Sequence, residues 1–396
     1  MKLKFSSFYN ANKFFLPVFF LLVQLVAAQE KNFDTPLKPH PIAAIESEKK
    51  EYHREQKTNF EHWMYSQKTH AFVGYLGSIA QGGFSSGLTA NTFHYDLGVL
   101  YQGKWVKTKN YKLNFHGWVE HTNLVFGSDP KAFAKKLKMF TVPNANDETT
   151  SGLSLEYLHF ENFFFDGLLD VTVGKLEPTF YMSFTKYSAW DKLTLFSKTA
   201  SSDPVPDMDA AFGVYAEVNI SDYISVGGQI LDDTPKNEVL DVANFFGNTK
   251  YNYQGFVRWA IPSKKKYYSY HVFNLYTYPQ SQEKAAGNGW MYIGNQGVSD
   301  DLILTMKLSK GTGRVLKYNG AYTAGFILKN TFNRSGDQAG AAFVVNELNG
   351  QYEYGIDTFY KIFLQDWVTV AGSLQGYQTV SKNVAIIPGL RMMLTY

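Results

Sequence analysis

V-A-I-I-P-G-L-R-M-M-L-T-Y, residues 384–396, decides the fold. Taken in twos, Val384, Ile386, Pro388, Leu390, Met392, Leu394 and Tyr396 are all apolar, whereas Gly389, Arg391 and Thr395 fall on the other parity. Alternation with period two puts the two sets on opposite faces of a β-strand. A strand with one wholly apolar face and a final aromatic has two natural settings. It closes a transmembrane barrel, where alternate residues meet lipid, or it is a buried edge strand of a β-sandwich.

Composition favours the barrel. Phe, Tyr and Trp make up 17% of the 396 residues, yet the chain is mildly polar on average, which suits a sheet with one greasy and one wet face. There is no Cys, which removes disulfides, thiolate metal sites, cysteine nucleophiles and a cysteine-linked lipid anchor. Lys2, Lys4 and Lys13 precede an apolar run at 14–26 and the small residues Ala27 and Ala28. This is the pattern of a cleaved secretory signal over 1–28. The run is too short to span a bilayer as a helix, which takes about 20 residues. Without those three lysines the remaining chain has 35 basic and 35 acidic residues, so no nucleic-acid partner is expected. Residues 29–68, of mixed charge and no clear period, are expected to be a periplasmic N-terminal segment or linker.

From residue 69 to 396 the alternation persists. In 91–102, Phe93, Tyr95, Leu97, Val99 and Tyr101 oppose Thr92, His94, Asp96 and Gln102, with Leu100 out of phase. The same pattern recurs at 111–122, 212–220, 251–261, 352–364 and 368–375. About sixteen such segments are expected, with fourteen or eighteen as alternatives because 288–296 and 340–348 are weakly patterned. The predicted fold is all-β: a transmembrane antiparallel barrel with short turns at one end, near 103–110, 162–167, 221–222, 262–266, 297–301 and 365–366. Long loops, at 123–151, 177–210 and 232–250, are expected at the other. Trp105, Phe163, Phe164, Phe165, Tyr223, Trp259, Tyr267 and Trp367 crowd the short-turn end, as a lipid–water interface would require.

A barrel of this size has a lumen, and its inward positions are polar and of mixed sign. Glu217, Arg258, Glu353, Asp357, Lys361 and Gln375 are the expected pore-lining residues along the solute path. Asp96, Glu120, Asp170, Lys307 and Arg391 share that inner parity. The chain has only five arginines, and no one-sign basic ladder of the kind an anion channel needs. Amide, hydroxyl and aromatic groups such as Asn114, Tyr215, Asn252 and Gln254 instead suit neutral hydroxylated solutes. The longest loop, 177–210, is expected to fold inward, with Tyr187, Trp190, Asp191 and Lys192 forming the constriction. A loop packed over the rim or on a neighbouring subunit is the alternative.

No catalytic spacing, cofactor fingerprint or metal motif is found, so neither an enzyme nor a cofactor is expected. His94, His116, His121 and His159 read as polar lining. Asp203, Asp207 and Asp209 have no Ca²⁺-loop pattern. A barrel-borne enzyme or adhesin and a soluble periplasmic β-protein remain as alternatives. The last would leave large apolar stripes wet.

Several stretches, in order, resemble the carbohydrate-selective (OprB-like) porin family of Gram-negative outer membranes. They are Gly82-Gly83 with the strand into Leu97 and Trp105, D-V-T-V-G-K-L-E-P at 170–178, F-G-V-Y-A-E-V at 212–218, D-T-F-Y at 357–360, the strand around Gln375, and L-R-M-M-L-T-Y at 390–396. The family's G-D-W-G-G-x-R motif is absent, with N-F-E-H-W at 59–63 roughly in its place. The resemblance implies a sixteen-stranded porin that passes small sugars by diffusion, with general or organic-acid selectivity as the runner-up. It also implies residence in outer-membrane lipid, recognition by the barrel-assembly machinery through the last strand, and a homotrimer.

Overall fold

The structure is a computed structural model. It describes residues 70–144, 152–178, 194–201, 210–233, 250–261, 267–279, 286–313, 318–334, 336–365 and 367–395. The expected signal at 1–28 and segment at 29–68 lie outside the described residues, as do Tyr187, Trp190, Asp191, Lys192, Asp203, Asp207 and Asp209.

Sixteen strands run in sequence: β1 (His70–Ser85), β2 (Leu88–Lys107), β3 (Tyr111–Gly127), β4 (Gly152–Phe164), β5 (Leu169–Leu176), β6 (Ala211–Ser221), β7 (Ile224–Asp232) and β8 (Tyr251–Trp259). They continue with β9 (Ser269–Tyr278), β10 (Gly287–Gly297), β11 (Leu302–Gly311), β12 (Gly320–Lys329), β13 (Gln338–Leu348), β14 (Gln351–Gln365), β15 (Val368–Gln378) and β16 (Val384–Thr395). Each pairs with its chain neighbours, and β1 pairs with β16 to close the ring. The closing ladder sets Tyr75 opposite Thr395 and Ser85 opposite Ala385, antiparallel like every other pair. Closure is what a hydrocarbon environment demands, because each backbone group left unpaired on an open edge would cost several kcal/mol. Among the described residues no helix is long and apolar enough to cross a membrane.

The period-two pattern becomes two faces. On β16, Val384, Ile386, Pro388 and Leu390 point out while Ala385, Ile387, Arg391 and Met393 are buried inside. On β2, Leu97 and Val99 are exposed and Thr92, His94, Asp96 and Gln102 are buried. The inner face is less polar than the alternation alone indicates. Leu100, Trp118, Ile387 and Met393 belong to an internal apolar cluster with Phe133, Leu137, Leu195 and Phe196.

Two tight hairpins lie at the end that carries the long loops. Ser86-Gly87 and Asn349-Gly350 both have positive φ at each residue (46° and 81°, 51° and 78°). These are type I′ geometries, whose twist matches the strands they join. The long connections are 128–151, 177–210 and 233–250. At the opposite end the turn expected at 103–110 is shorter, because β2 continues through Lys107 across a bulge between Lys104 and Val106. The turns expected at 162–167 and 365–366 likewise begin later, since Phe163, Phe164 and Gln365 are still in strands. At this end Trp105, Phe165, Tyr223 and Trp367 are exposed, and Trp105 packs on Phe115 and Phe160. Trp259, His271 and Tyr292 form a stacked row across β8, β9 and β10. Phe163 departs from the expected girdle: it stands opposite Asp170, on the inner parity.

Candidate functional site

Two inward segments meet the inner wall. The first follows β3. Asp129 caps helix α1 (Pro130–Lys136), its carboxylate accepting from the Lys131 and Ala132 backbone N–H at 3.0 and 2.9 Å. Pro130 sits in the first turn, where its missing N–H costs nothing. Phe133 and Leu137, one helical turn apart, are fully buried over β1 and β2. They come so close that a Cβ on Gly83 would lie 2.4 Å from Leu137, so the second glycine of Gly82-Gly83 is a packing requirement.

Beyond α1 the chain is held through its backbone. The Glu353 carboxylate accepts from the Phe140 N–H (3.1 Å) and the Thr141 N–H (2.8 Å). The Tyr318 hydroxyl accepts from the Val142 N–H at 2.8 Å. Burial pushes that phenol's pKa well up, which keeps it neutral. Gln81 donates to the Pro143 carbonyl at 2.8 Å.

The second segment, 194–201, belongs to the longest loop and ends in a single helical turn, α2 (Lys198–Ser201). Leu195 and Phe196 are fully buried. Asp357 Oδ2 accepts from the Phe196 and Ser197 N–H groups, both at 2.7 Å. Arg391 donates to the Leu195 and Phe196 carbonyls (3.4 and 3.1 Å), with its guanidinium 4.1 Å over the Phe196 ring. Asp357 and Arg391 thus grip one stretch of backbone by its donors and its acceptors.

Asn346 joins the two segments. Its amide donates to Thr141 Oγ1 (3.0 Å) and its carbonyl accepts from Thr199 Oγ1 (2.9 Å). Lys198 N also donates to the Val142 carbonyl at 3.2 Å. Replacing Asn346 with Ala removes both side-chain links at a cost of about 1 kcal/mol each. The expected result is faster amide exchange at Thr141 and Thr199 with strand protection unchanged. Equal exchange in the two proteins would show that Asn346 does not couple the segments.

The wall from β6 to β9 has a different character. Arg258 Nη1 reaches both carboxylate oxygens of Glu217, at 2.5 and 2.6 Å. The Tyr215 and Ser225 hydroxyls donate to the same carboxylate. The guanidinium also lies over Phe256 (4.9 Å) and Tyr270 (5.7 Å). Gln229 and Gln254 are bonded at 2.7 Å one step along.

Of the expected lining residues, Glu217 and Arg258 are brought together as an ion pair. Glu353 and Asp357 are occupied by the backbone of the inward segments. Gln375 is fully buried and lies 3.4 Å from Gln81. Lys361 is buried, with its ammonium 5.1 Å over Phe363. Sequence reading missed Gln81, Tyr318, Asn346 and the whole inward stretch after β3. Its signal was present: Asp129-Pro130 is a helix start, followed by Phe133 and Leu137 at i, i+4 spacing.

No protein-family model matches the chain. A curated porin of Chlamydia abortus, AaxA, is 23% identical over 262 residues, which are 62% of this chain and 58% of that protein. The chain thus matches less than two thirds of that relative's length. The high-pH structure of Pseudomonas putida OprB superposes with a TM-score of 0.64 at 14% identity, covering 83% of this chain and 94% of that one. Its low-pH structure gives 0.55 at 14% identity over 86% and 99%. A triple mutant of the Rhodopseudomonas blastica porin gives 0.52 at 12% identity over 83% and 100%. The sixteen-stranded, porin-like barrel read from the sequence is thus the fold of this chain, one it shares with the OprB structures from Pseudomonas putida.

Proposed function

We propose that the protein is an outer-membrane porin of a Gram-negative bacterium, passing small hydrophilic solutes by passive diffusion, with carbohydrates as the leading class. The observation that carries this reading is a closed barrel with a polar interior into which two segments are pinned. Such segments narrow a lumen without plugging it by a separate domain, and selectivity then follows from bore and lining. The inner wall offers amides, hydroxyls and aromatic faces together with paired charges, a surface that exchanges hydrogen bonds with sugar hydroxyls and stacks on sugar rings. Organic acids are the second reading, and the carboxylates of the inner wall argue against it. The porins among the structural neighbours, and the porin AaxA, support the channel reading over a barrel-borne enzyme or adhesin.

The proposal includes export through the 1–28 signal, with 29–68 on the periplasmic side and the barrel from 69 onward. It places the exposed apolar band in outer-membrane lipid and gives the last strand, residues 384–396, to the assembly machinery as its recognition signal. A homotrimer is the proposed assembly. Within the longest loop, Tyr187, Trp190, Asp191 and Lys192 are proposed to face the solute beside the pinned stretch 194–201.

The test is single-channel recording of the refolded mature protein in planar bilayers, titrated with glucose, maltose and sulfate. Stable steps that sugars block support a sugar path. Steps without sugar block keep the pore and remove the carbohydrate assignment. Absence of steps overturns the channel.

A further inference from the structure

Four lysines gather at the loop end of the lumen. Lys131, Lys135 and Lys136 lie on α1, Lys138 follows it, and all four are exposed. The other side of α1, with Phe133, Ala134 and Leu137, is buried. That side rests on Gly83, which shares the inward parity of Gln81 and Ser85 just below the Ser86-Gly87 hairpin. Helix α1 therefore lines the inner side of the rim, and its lysines face away from the wall, toward the opening. Beyond Lys138 the chain continues into the backbone bonds with Glu353, Tyr318 and Gln81, so the lysines stand at the entrance to the narrowed path. None of the four makes an ion pair among the described residues, whereas the exposed Lys310 and Arg334 do, with Glu347 and Asp337. Asp129, just before the helix, has its Oδ1 taken up by two backbone N–H groups. Lys138 also stands at φ 59°, the left-handed position after a helix where glycine is usual, so its side chain is carried against a steric preference. Farther in, the carboxylates are engaged: Glu217 by Arg258, Glu353 and Asp357 by backbone N–H groups.

We propose that the lysine patch is a capture surface for anionic sugars, hydroxylated solutes that carry a carboxylate or phosphate group. The inference rests on the sugar-channel reading above and extends it from neutral carbohydrates to their acidic derivatives. Exposed charges of one sign at the mouth of a low-dielectric cleft concentrate solutes of the other sign and raise their on-rate. They hold nothing tightly, because each ammonium stays in water. A simple organic acid would meet the lysines and then find little use for the amides and hydroxyls of the wall. An acidic sugar meets both: its charge is drawn in at the rim, and its hydroxyls exchange hydrogen bonds further along.

Current fluctuations of single reconstituted channels, with sugar added on one side at a time, test it. From the loop side in about 0.1 M KCl, glucose 6-phosphate is expected to block wild type with a higher on-rate than glucose. In about 1 M KCl, where the Debye length falls from about 10 Å to about 3 Å, that excess disappears. Replacing all four residues (Lys131→Gln, Lys135→Gln, Lys136→Gln and Lys138→Gln) is expected to lower the on-rate ratio of the two sugars by roughly fivefold or more, with off-rates little changed. Lys109→Gln, in an exposed turn at the opposite end, leaves the ratio unchanged. A quadruple variant with the wild-type ratio overturns the proposal. So does a wild type that glucose 6-phosphate blocks no faster than glucose, or with an excess that salt does not screen. The salt comparison needs only wild-type channels, so it decides the matter should the variant fail to assemble. Salt-screened block by glucose 6-phosphate, with none by glucose, supports the patch and removes only the neutral-sugar reading. Wild-type protein without conductance steps is a different failure: it removes the channel itself, and this inference with it.

Discussion

Replacing Glu353 and Asp357 together with Ala is expected to raise single-channel conductance and make it noisier. The two carboxylates accept from four backbone N–H groups, those of Phe140, Thr141, Phe196 and Ser197. Bonds to an ionised acceptor contribute about 1.5–3 kcal/mol each, and the amides stranded beneath the inward segments carry a desolvation cost of similar size. Even with strong non-additivity, a combined loss of roughly 3 kcal/mol from the two anchors shifts the pinned-to-released equilibrium by about a hundredfold. Arg391 and Gln81 keep their carbonyl partners, so the segments are loosened and the strand ladders remain intact. Heat-modified migration in gels checks that the barrel has closed. A closed barrel with wild-type conductance would show that these segments do not bound the conducting path.

The barrel was legible because its determinant is local. One residue in two must satisfy lipid on β2, β6, β14 and β16, and period two survives any loop arrangement. Strand ends were less legible. Lys104 to Lys107 mixes charge with Trp105 and reads as a turn, yet a bulge lets β2 continue through it. One extra residue shifts the parity, so the alternation breaks just where the strand persists. The extra residues Val125 on β3, across from Phe93 and His94, and Glu156 on β4, across from Trp118 and Val119, do the same to their own strands.

The inward segments were legible only in part. Leu100, Trp118, Ile387 and Met393 are apolar at inner positions because Phe133, Leu137, Leu195 and Phe196 arrive from loops far away in sequence. In a strand-by-strand reading such residues are faults in a pattern. In the structure they are the floor on which the segments pack. Glu353, Asp357 and Arg391 could be placed on the inner face by parity. That they hold backbone and do not stand free in the lumen follows from tertiary contacts no periodicity encodes.

The second large effect is expected at Arg258 and Glu217. The pair is buried, with Arg258 at 3% and Glu217 at 1% exposure, and three donors from three neighbouring strands converge on one carboxylate. Arg258→Met leaves Glu217 ionised among Tyr215, Phe256 and the opposing Asp170, and is expected to cost about 3–5 kcal/mol. Glu217→Gln alone strands the guanidinium at a similar cost, tempered by the rings of Phe256 and Tyr270. The double variant removes both charges and keeps approximate volume, so it is expected to recover most of the loss. Urea unfolding of detergent-refolded barrels, followed by tryptophan fluorescence, gives the cycle. A coupling energy near zero would mean that the pair is held apart energetically by its hydroxyl and aromatic partners. A large coupling would mean that charge neutrality fixes this wall, and with it the opposing face of Asp170.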